Sequence, residues 1–499
     1  MNDEDRTSLS WGSAAWARAT RETPDRTLLA DARDGSAFSV RDADELSRRG
    51  VALLDRWGLS AGDRVLVVAA AEVETIIVLW GALRLGVSVV LLHPDAPQQQ
   101  IRAVAEQSGA AVVLLAKPDP TLPHAAVLCS EEMSEALAEI DAAPSPPEPD
   151  PGAEAAILFS SGSTGPARGV RLSRRGLTDG LYRLASAMMP APGRRDGIPA
   201  LLHTITGLRM ILLAPLALGT TSVLLPPYAS TSEILAAAGR ERVLELHAGP
   251  GLLRACCRVP SRMRALAPSL RSVIIGGGKL SSDERRAFAV GMGVRLAHTY
   301  GLTETGGACS AVVVQPDGTG GSGMGRPLCP VRIVRADGAL ASPGEEGRVL
   351  VSPDVPMMGY LDGKAPAEHS GRAWVDTGDL GALSSDGALS VLGRAARTFT
   401  TPSGEKVTLA DLEALLREVA GVEVVAAVIR PPRRAALIGA LVERDSISEV
   451  WLARTRAALR ARLPAHAIPS LWAAQSPLPR LPSGKLNLVA AQEHLEATA

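Results

Sequence analysis

Short apolar runs alternate with longer mixed segments along much of the chain. The runs rich in Val and Leu predict buried strands, and the helix-length segments between them predict α-helices. This alternation is typical of βαβ units, in which helices cover both faces of a mainly parallel sheet. The predicted strands are 65–69, 87–92 and 111–115, the predicted helices are 73–85 and 98–107, and the alternation returns in 209–226 and 271–278.

A further apolar run, 155–159, predicts a buried parallel strand that ends in a loop rich in serine and glycine. Gly162 and Gly165 let the backbone turn its N–H groups toward an anion, so the loop is a candidate phosphate site. Ligands of open α/β sheets bind at the carboxyl ends of strands, where this loop is expected. Taken alone, the string also fits a flexible surface loop, and it lacks the lysine of the Walker motif. The candidate residues are Ser160, Ser161, Gly162, Ser163, Thr164, Gly165 and Arg168.

The pattern changes in the last third of the chain. After Pro343, short strands separated by Gly and Pro turns predict an antiparallel or barrel-like portion. Past Arg394, a compact α+β piece of about a hundred residues has a plausible domain size. We therefore predict an α/β fold, with a large N-terminal domain of parallel sheets flanked by helices over 1–393 and a small C-terminal domain over 394–499.

Composition excludes several classes of protein. The 499 residues are 46% hydrophobic and 21% charged, with a formal net charge of −1, as expected for a globular chain with a sizeable core. The sequence has no basic stripe with interleaved aromatic residues, so it does not predict a nucleic-acid partner. The apolar region 65–92 carries charges, and 210–225 is broken by Pro215 and Gly219, so neither predicts a membrane span.

The amino terminus and the cysteines bear on the compartment. The first residues are polar and acidic, unlike a signal peptide. The five cysteines show no CxxC spacing, which favours a reducing compartment and a role as small buried hydrophobes. We expect a cytoplasmic protein, as a monomer or a homodimer.

Seven further motifs follow the phosphate-type loop, and in their order they resemble the adenylate-forming superfamily. That superfamily comprises acyl- and aryl-CoA synthetases, adenylation domains of peptide synthetases, and luciferases. The resemblance covers nearly the whole chain. The motifs are HTITG (203–207), IIGGGKLS (274–281), TYGLTET (299–305), GEEGRVLVSPDVPMMGYLDG (344–363), TGD (377–379), GR (393–394) and PSGK (482–485).

The resemblance implies ATP-dependent activation of a carboxylic acid with Mg²⁺ as a cofactor. The acid attacks the α-phosphorus and pyrophosphate leaves, so catalysis is mainly positioning and electrostatic stabilisation. The serine- and glycine-rich loop would hold the leaving phosphates, and Arg168 stands where the family usually has lysine. Arginine also clamps phosphate, so this departure is mild.

The resemblance assigns three roles around TYGLTET. Thr303 would contact the α-phosphate, Glu304 would bind magnesium, and Tyr300 would stack on adenine. A hard cation bridging phosphates through one carboxylate agrees with magnesium chemistry. The alternative for Glu304 is an exposed turn residue.

Further residues would complete the nucleotide and acid sites. Asp379 would accept hydrogen bonds from the ribose diol, with an ordinary turn aspartate as the alternative. Arg394 would reach the ribose or the phosphates from the domain hinge. The glycines 276–278 would let adenine and the acyl group pass close to the backbone, or they merely form a loop. The remaining nucleotide candidates are Gly277, Gly278 and Gly301, and the acid-pocket candidates are His203, Gly207, Gly276, His298 and Thr299.

Lys485 is the sharpest candidate for catalysis. The chain has 52 basic residues, yet only five are lysines: Lys117, Lys279, Lys364, Lys406 and Lys485. A chain that otherwise uses arginine keeps lysine in PSGK, which matches the family's catalytic lysine on a mobile C-terminal domain. The resemblance implies that it bridges the substrate carboxylate and the α-phosphate. The alternative is a solvated lysine.

The region around His203 bears on the identity of the acid. His203 aligns with a pocket residue of the family, and a hydrogen-bonded core histidine is the alternative. Adenylation domains for α-amino acids place an aspartate in this stretch, and 203–208 has none, so an aryl or alkyl acid is expected. Arg209 could pair with a second anionic group of the substrate, but a helix-surface arginine is the favoured interpretation.

The hinge segment departs from the family pattern. Residues 393–404 lack the usual aspartate, the loop is one residue longer, and Pro402 stands where flexibility is expected. Activation is therefore better supported than the second step. We expect transfer to CoA or to the phosphopantetheine of an acyl carrier protein, with transfer to an amine as one alternative and a catalytically silent adenylate-binding protein as another.

Overall fold

A computed structural model provides the structure of the protein. It describes residues 11–115, 130–159, 168–188, 193–199, 201–227, 229–369, 371–400, 406–429, 437–463, 467–480 and 486–498. The predicted alternation of strands and helices is confirmed, and predicted helix 73–85 has the predicted ends. The elements up to residue 159 are α1 Ser13–Glu22, β1 Thr27–Asp31, β2 Ala37–Ser39, α2 Val40–Arg56, β3 Arg64–Val68, α3 Val73–Leu85, β4 Ser88–Leu91, α4 Gln98–Ser108, β5 Val112–Leu115, α5 Ser130–Glu139 and β6 Glu154–Phe159.

The middle of the chain continues the pattern and adds a π-helix, Leu208–Leu213, and a 3₁₀ turn, Thr303–Thr305. The other elements are β7 Gly169–Ser173, α6 Arg174–Ala187, β8 Arg195–Ile198, α7 Ile205–Gly207, α8 Ala214–Ala217, β9 Thr221–Leu224, α9 Thr231–Arg240, β10 Glu245–Ala248, α10 Pro250–Arg258, α11 Pro260–Leu266, β11 Ser272–Ile275, α12 Ser282–Met292, β12 Arg295–Leu302 and β13 Gly307–Val314.

The last third contains short strands and then a mixed unit, with a 3₁₀ turn at Ala395–Arg397 between them. The strands of the first part are β14 Val331–Val334, β15 Gly347–Val351, β16 Gly359–Tyr360, β17 Ala367–His369, β18 Arg372–Leu383 and β19 Leu389–Arg394. The later elements are β20 Thr398–Thr400, β21 Lys406–Thr408, α13 Leu409–Ala420, β22 Val424–Ile429, β23 Leu437–Val442, α14 Glu449–Arg460, β24 Leu471–Ala474 and α15 Leu488–Thr498.

Two sheets with parallel centres form the large part of the molecule. One has the strand order β16-β7-β6-β4-β3-β5, and the other has the order β13-β12-β11-β10-β8-β9-β1-β2. Both carry antiparallel strands at an edge, because β7 pairs antiparallel with β6, and β13 does so with β12. The largest buried cluster includes Leu54 on α2, Leu79 on α3 and Leu212 on the π-helix. The helices and the parallel strands are therefore packed around a shared core, as the α/β prediction requires.

The antiparallel prediction for the region after Pro343 is confirmed, but the barrel-like one is not. In the described residues, β14, β15, β18 and β17 pair in that order, and β19 pairs with the other half of the long strand β18. This is an open five-stranded sheet. Turn-rich sequence predicts short antiparallel strands, whereas closure depends on pairing between strands that are distant in sequence.

The C-terminal unit has its own sheet and core. Strand β22 pairs antiparallel with β23, which pairs parallel with β24. Helix α13 supplies Leu412 and Leu416 to the core on one face, and α15 supplies Ala491 and Leu495 on the other. This arrangement confirms the expected α+β character.

A buried polar cluster crosses the eight-stranded sheet between β8 and β10. Asp196 accepts hydrogen bonds from Arg194 at 2.6 and 3.0 Å, and Glu245 Oε1 lies 3.0 Å from the same guanidinium. His247 Nε2 lies 3.7 Å from Glu245. The side chains of Asp196, Glu245 and His247 are close enough to resemble a metal site, but Arg194 already supplies the cation. Burial raises the pKa of Glu245 to about 7 and lowers the pKa of His247 to about 3.

The raised pKa of Glu245 predicts a pH-dependent stability. In the folded state the Glu245 carboxyl has a pKa of about 7 and keeps its proton below that pH, whereas its ordinary pKa is 4.5. This contribution is therefore complete below the ordinary value and is lost as the pH rises toward 7. We expect the melting temperature of Glu245→Gln, minus that of the wild type, to become more positive across this window.

Thermal unfolding at several pH values measures this difference, with Glu106→Gln on the exposed face of α4 as the matched control. A difference that stays constant with pH, as expected for the control, would contradict the protonation of Glu245.

Candidate active site

The TYGLTET motif spans the end of β12 and the 3₁₀ turn that follows it. His298, Thr299, Tyr300 and Gly301 lie on β12, beside β11 on one side and β13 on the other. Thr305 fixes the turn, because its hydroxyl lies 2.8 Å from the carbonyl of Leu302 and 2.7 Å from that of Gly307, and accepts from Leu302 N at 3.1 Å. The half-buried Thr303 and Glu304 are therefore presented from a rigid turn.

Two buried arginines lie beside this turn, and one of them, Arg183, is hydrogen-bonded to it. Arg183 on α6 donates to the carbonyl of Ala308 at 3.0 Å and to that of Thr305, and it forms an ion pair with Asp179. Arg209 on the π-helix donates to the carbonyl of Gly180 at 2.6 Å. A Cβ atom at Gly307 would lie 2.1 Å from Arg209 Nη1, and Gly307 has a positive φ of 133°, so both the space and the backbone favour glycine there.

The interpretation of Arg209 as a helix-surface residue is wrong. Its side chain is 2% exposed, and it donates to the carbonyls of Gly180 and, at 3.2 Å, Ile205. All six residues of the π-helix are buried, so this segment has no polar outer face. Burial and the nearby Arg183 lower the pKa of Arg209 to about 9.

Tyr300, Asp379 and Arg394 are brought together. The hydroxyl of Tyr300 donates to Asp379 Oδ2 at 2.6 Å, and Arg394 Nε lies 3.3 Å from Asp379 Oδ1. Asp379 and Arg394 are paired neighbours on β18 and β19. Arg394 also donates to the carbonyl of Thr377 at 2.6 Å. Burial, followed by the adjacent Asp379 carboxylate, raises the pKa of Tyr300, so the phenol remains a donor.

A second group joins Glu304 to Arg168 through Tyr360. The hydroxyl of Tyr360 donates to Glu304 Oε1 at 3.2 Å. The guanidinium carbon of Arg168 lies 3.3 Å from the centre of the Tyr360 ring, and its Nη2 donates to the two carboxylate oxygens of Asp362 at 3.0 and 3.2 Å. Tyr360 and Asp362 belong to the quoted GYLDG sequence, but sequence reasoning gave them no role.

The glycines after β11 lie against β12. His298 is buried, and its Nε2 lies 2.9 Å from the carbonyl of Gly278, while its Nδ1 lies 3.3 Å from Arg285. Burial lowers the pKa of His298 to about 4, so the ring is neutral near pH 7. A Cβ atom at Gly276 would lie 3.2 Å from the hydroxyl of Thr299, and Gly277 has a positive φ of 79°. His298 therefore anchors the glycine loop to the strand.

His203 and Gly207 lie near the start of the π-helix. The ring of His203 is 4.9 Å from that of His93, in an edge-on arrangement, and Nδ1 of His93 accepts a hydrogen bond from Asp95 N at 2.9 Å. The sequence analysis missed His93. Gly207 is buried, and a Cβ atom there would lie 2.1 Å from the carbonyl of Leu201. Close packing against this carbonyl therefore requires a glycine at this position.

The hinge segment is anchored in the C-terminal unit by Arg397. This side chain forms an ion pair with Glu413 and donates to the carbonyl of Ala426 at 2.7 Å. Glu413 also accepts from Ala426 N at 2.8 Å. Seven predicted site residues, and Pro402 of the hinge, lie outside the described residues. These seven are Ser160, Ser161, Gly162, Ser163, Thr164, Gly165 and Lys485.

A family model and curated relatives match most of this chain. A family model described as AMP-binding enzyme matches residues 16–361. A sulfoacetate–CoA ligase of Cupriavidus necator is 27% identical over 94% of this chain and 95% of its own length. A salicyl-AMP ligase / salicyl-S-ArCP synthetase of Mycobacterium tuberculosis is 28% identical over 94% of this chain and 88% of its own length.

Solved structures share the fold. The o-succinylbenzoate CoA synthetase of Bacillus subtilis, in complex with its acyl-adenylate intermediate, has a TM-score of 0.83 and 22% sequence identity, and the match covers 96% of this chain and 97% of that one. Among the helices described, none combines the length and apolarity needed to cross a bilayer.

The arginine under the turn predicts a large loss of stability on substitution. Arg183→Met would leave Asp179 and two carbonyls without their donor in a buried position. We expect the free energy of unfolding to fall by about 3–5 kcal/mol, as for breaking a buried ion pair. Urea unfolding measures the change.

Arg175→Met, at an exposed position on the same helix, is the control and should change the free energy by no more than about 0.5 kcal/mol. The double variant Asp179→Leu, Arg183→Met should recover part of the loss, because it leaves no unpaired charge. Equal effects of Arg183→Met and the control would contradict the supporting role.

Proposed function

Because the chain belongs to the AMP-binding enzyme family, we propose that it activates a carboxylic acid with ATP and passes the acyl group to a thiol. The observation that carries the proposal is the meeting of Tyr300, Asp379 and Arg394 within hydrogen-bonding distance. Tyr300 comes from the eight-stranded sheet, and Asp379 and Arg394 come from the antiparallel sheet, where Arg394 ends the last strand before the hinge. Their side chains form a carboxylate site flanked by an aromatic ring and a cation, which suits a nucleoside.

In the nucleoside part of this site, Asp379 binds the ribose. Its carboxylate is held by Tyr300 and Arg394 and can still accept hydrogen bonds from a diol, since a carboxylate offers about four acceptor positions. Tyr300 presents its ring to adenine while its hydroxyl stays on Asp379. Gly277 leaves room beside the base, since a Cβ atom there would meet nothing within 4 Å, whereas Gly278 and Gly301 allow close packing against Pro250 and the carbonyl of Gly307.

In the phosphate part, Thr303 contacts the α-phosphate. Arg168 and the serine- and glycine-rich loop 160–165 hold the leaving phosphates. Glu304 would hold Mg²⁺. The half-buried carboxylate of Glu304 fits that ion, because Mg²⁺ at nucleotide sites usually takes one or two carboxylates and completes its shell with phosphate oxygens and water. When bound, the ion neutralises phosphate charge.

The first step joins the acid to AMP. A carboxylate oxygen attacks the α-phosphorus, a new P–O bond forms, and the bond to pyrophosphate breaks. Lys485, on the mobile domain 394–499, bridges the attacking carboxylate and the α-phosphate. In the second step a thiol loses its proton and attacks the acyl carbon, and AMP leaves. Arg394 is the last residue of β19 and pairs with Asp379, whereas Arg397 is anchored in the C-terminal unit. This change of contacts supports a division close to the proposed boundary at 393 and 394.

The acid is an aryl or alkyl carboxylic acid, and the acceptor is CoA or a carrier-protein thiol. The absence of an aspartate from 203–208 argues against an α-amino acid. The names of the relatives point the same way, since they act on sulfoacetate, salicylate and, in the relative from Amycolatopsis, ferulate. His203, Gly207, Gly276, His298 and Thr299 are the proposed surroundings of the acid.

The catalytic assignment of Lys485 predicts a selective loss. Lys485→Ala should lower acid-dependent ATP–pyrophosphate exchange by about two to three orders of magnitude, as for the loss of a key charge-stabilising donor. ATP binding, measured by calorimetry, should be largely retained. Lys117→Ala serves as the matched control, because no quoted motif contains it. Exchange at a near wild-type rate in Lys485→Ala would refute the assignment.

A panel of acids and acceptors tests the substrate class. We expect pyrophosphate exchange with aryl or alkyl acids and not with α-amino acids, and an acyl-thioester product, detected by mass spectrometry, with CoA or a carrier protein. Products with amines alone would place the second step in the amide-forming class. Failure of every acid to support exchange would favour a silent adenylate-binding protein.

A further inference from the structure

Tyr360 contacts two residues of the proposed phosphate site at once. Its hydroxyl donates to Glu304 at 3.2 Å, and its ring lies 3.3 Å from the guanidinium carbon of Arg168. Among the described residues, no other side chain is hydrogen-bonded to the Glu304 carboxylate. No motif role accounts for this tyrosine. The side chain is well placed to set the separation of a carboxylate and a cation.

The backbone around Tyr360 fixes this position. Strand β16 pairs with β7 so that Tyr360 lies opposite Val170, and Leu361 N donates to the carbonyl of Gly169 at 2.9 Å. Three residues earlier, Met357 N donates to the carbonyl of Glu304 at 3.1 Å. The segment 357–361 is therefore tied at one end to the turn that carries Glu304 and at the other to the strand that follows Arg168.

Each contact of Tyr360 uses only part of the partner side chain. Tyr360 uses one oxygen of Glu304, so the second oxygen can face a cation. The Tyr360 ring covers the face of the Arg168 guanidinium, so the N–H groups at its edge remain donors. That edge already binds an oxyanion, because Nη2 of Arg168 donates to both oxygens of Asp362.

We infer that Tyr360 is a positioning residue that holds Glu304 for the divalent cation and Arg168 for the phosphates of the nucleotide. The inference rests on the proposed function. The hydroxyl acts on Glu304 and the ring acts on Arg168, so the two effects are separable by substitution. A tyrosine that only fills space would show neither effect.

Tyr360→Phe tests the hydroxyl, with Mn²⁺ as the probe ion and a non-hydrolysable ATP analogue as the nucleotide. Electron paramagnetic resonance measures Mn²⁺ bound to the protein–nucleotide complex without any turnover. We expect Mn²⁺ affinity to fall by about tenfold, as for the loss of an outer-shell partner of a metal ligand. Affinity for the analogue without divalent ions should stay at the wild-type value, because the ring under Arg168 is kept.

Tyr360→Leu tests the ring. It should show the same loss of Mn²⁺ affinity. In addition, the affinity for the ATP analogue, measured without divalent ions, should fall by about two- to fivefold, the effect expected for an exposed cation–π contact. Tyr182→Phe is the matched control, because it removes the equivalent hydroxyl from a buried tyrosine on α6. Melting temperatures check that each variant is folded.

The outcomes separate the inference from the proposed function. Wild-type protein that binds Mn²⁺ with the analogue, together with an unchanged Mn²⁺ affinity in folded Tyr360→Phe, would overturn the inference alone. Wild-type protein that binds neither would overturn the proposed function. An equal loss of Mn²⁺ affinity in Tyr182→Phe would also overturn the inference, because the effect would then not be specific to the contact with Glu304.

Discussion

The hydrogen bond from Tyr300 to Asp379 joins the two sheets on which the candidate site is built. Tyr300 lies on β12 of the eight-stranded sheet, and Asp379 lies on β18 of the antiparallel sheet. The bond places a carboxylate at the carboxyl end of β12, where α/β sheets usually bind ligands. Because Arg394 pairs with the same carboxylate, the site also reaches the strand that leads to the hinge. The Asp379 carboxylate thus links the parallel core, the antiparallel sheet and the strand that leads to the C-terminal unit.

Arginine side chains support this site at several positions. The guanidinium of Arg183 donates to two carbonyls and a carboxylate in different directions, and that of Arg168 stacks on a ring while its edge binds a carboxylate. A lysine ammonium has no flat face and could not make these contacts together. The preference for arginine in the composition therefore has a structural use at these positions. It also constrains the sequence nearby, since a Cβ atom at Gly307 would lie 2.1 Å from Arg209 Nη1.

Local patterns predicted most of the elements, because strand and helix periodicity depend on residues close in sequence. The predicted helix 73–85 is observed as Val73–Leu85, and the predicted strand 155–159 is observed as Glu154–Phe159. The surface interpretation of Arg209 was wrong because the π-helix that carries it is buried on all sides. Its two carbonyl acceptors are set by packing, which no local pattern encodes. Strand closure in the antiparallel region was unpredictable for the same reason.

The sequence by itself determined the order of strands and helices, the motifs and the family. It could not determine which motifs meet. Tyr300 and Asp379 are 79 positions apart, and Arg168 and Asp362 are 194 apart. Such pairs form only when sheet order and strand register bring distant loops to one edge, and register depends on the packing of whole sheets. The tertiary structure alone therefore revealed Tyr360 between Glu304 and Arg168, and the buried arginines beneath the turn.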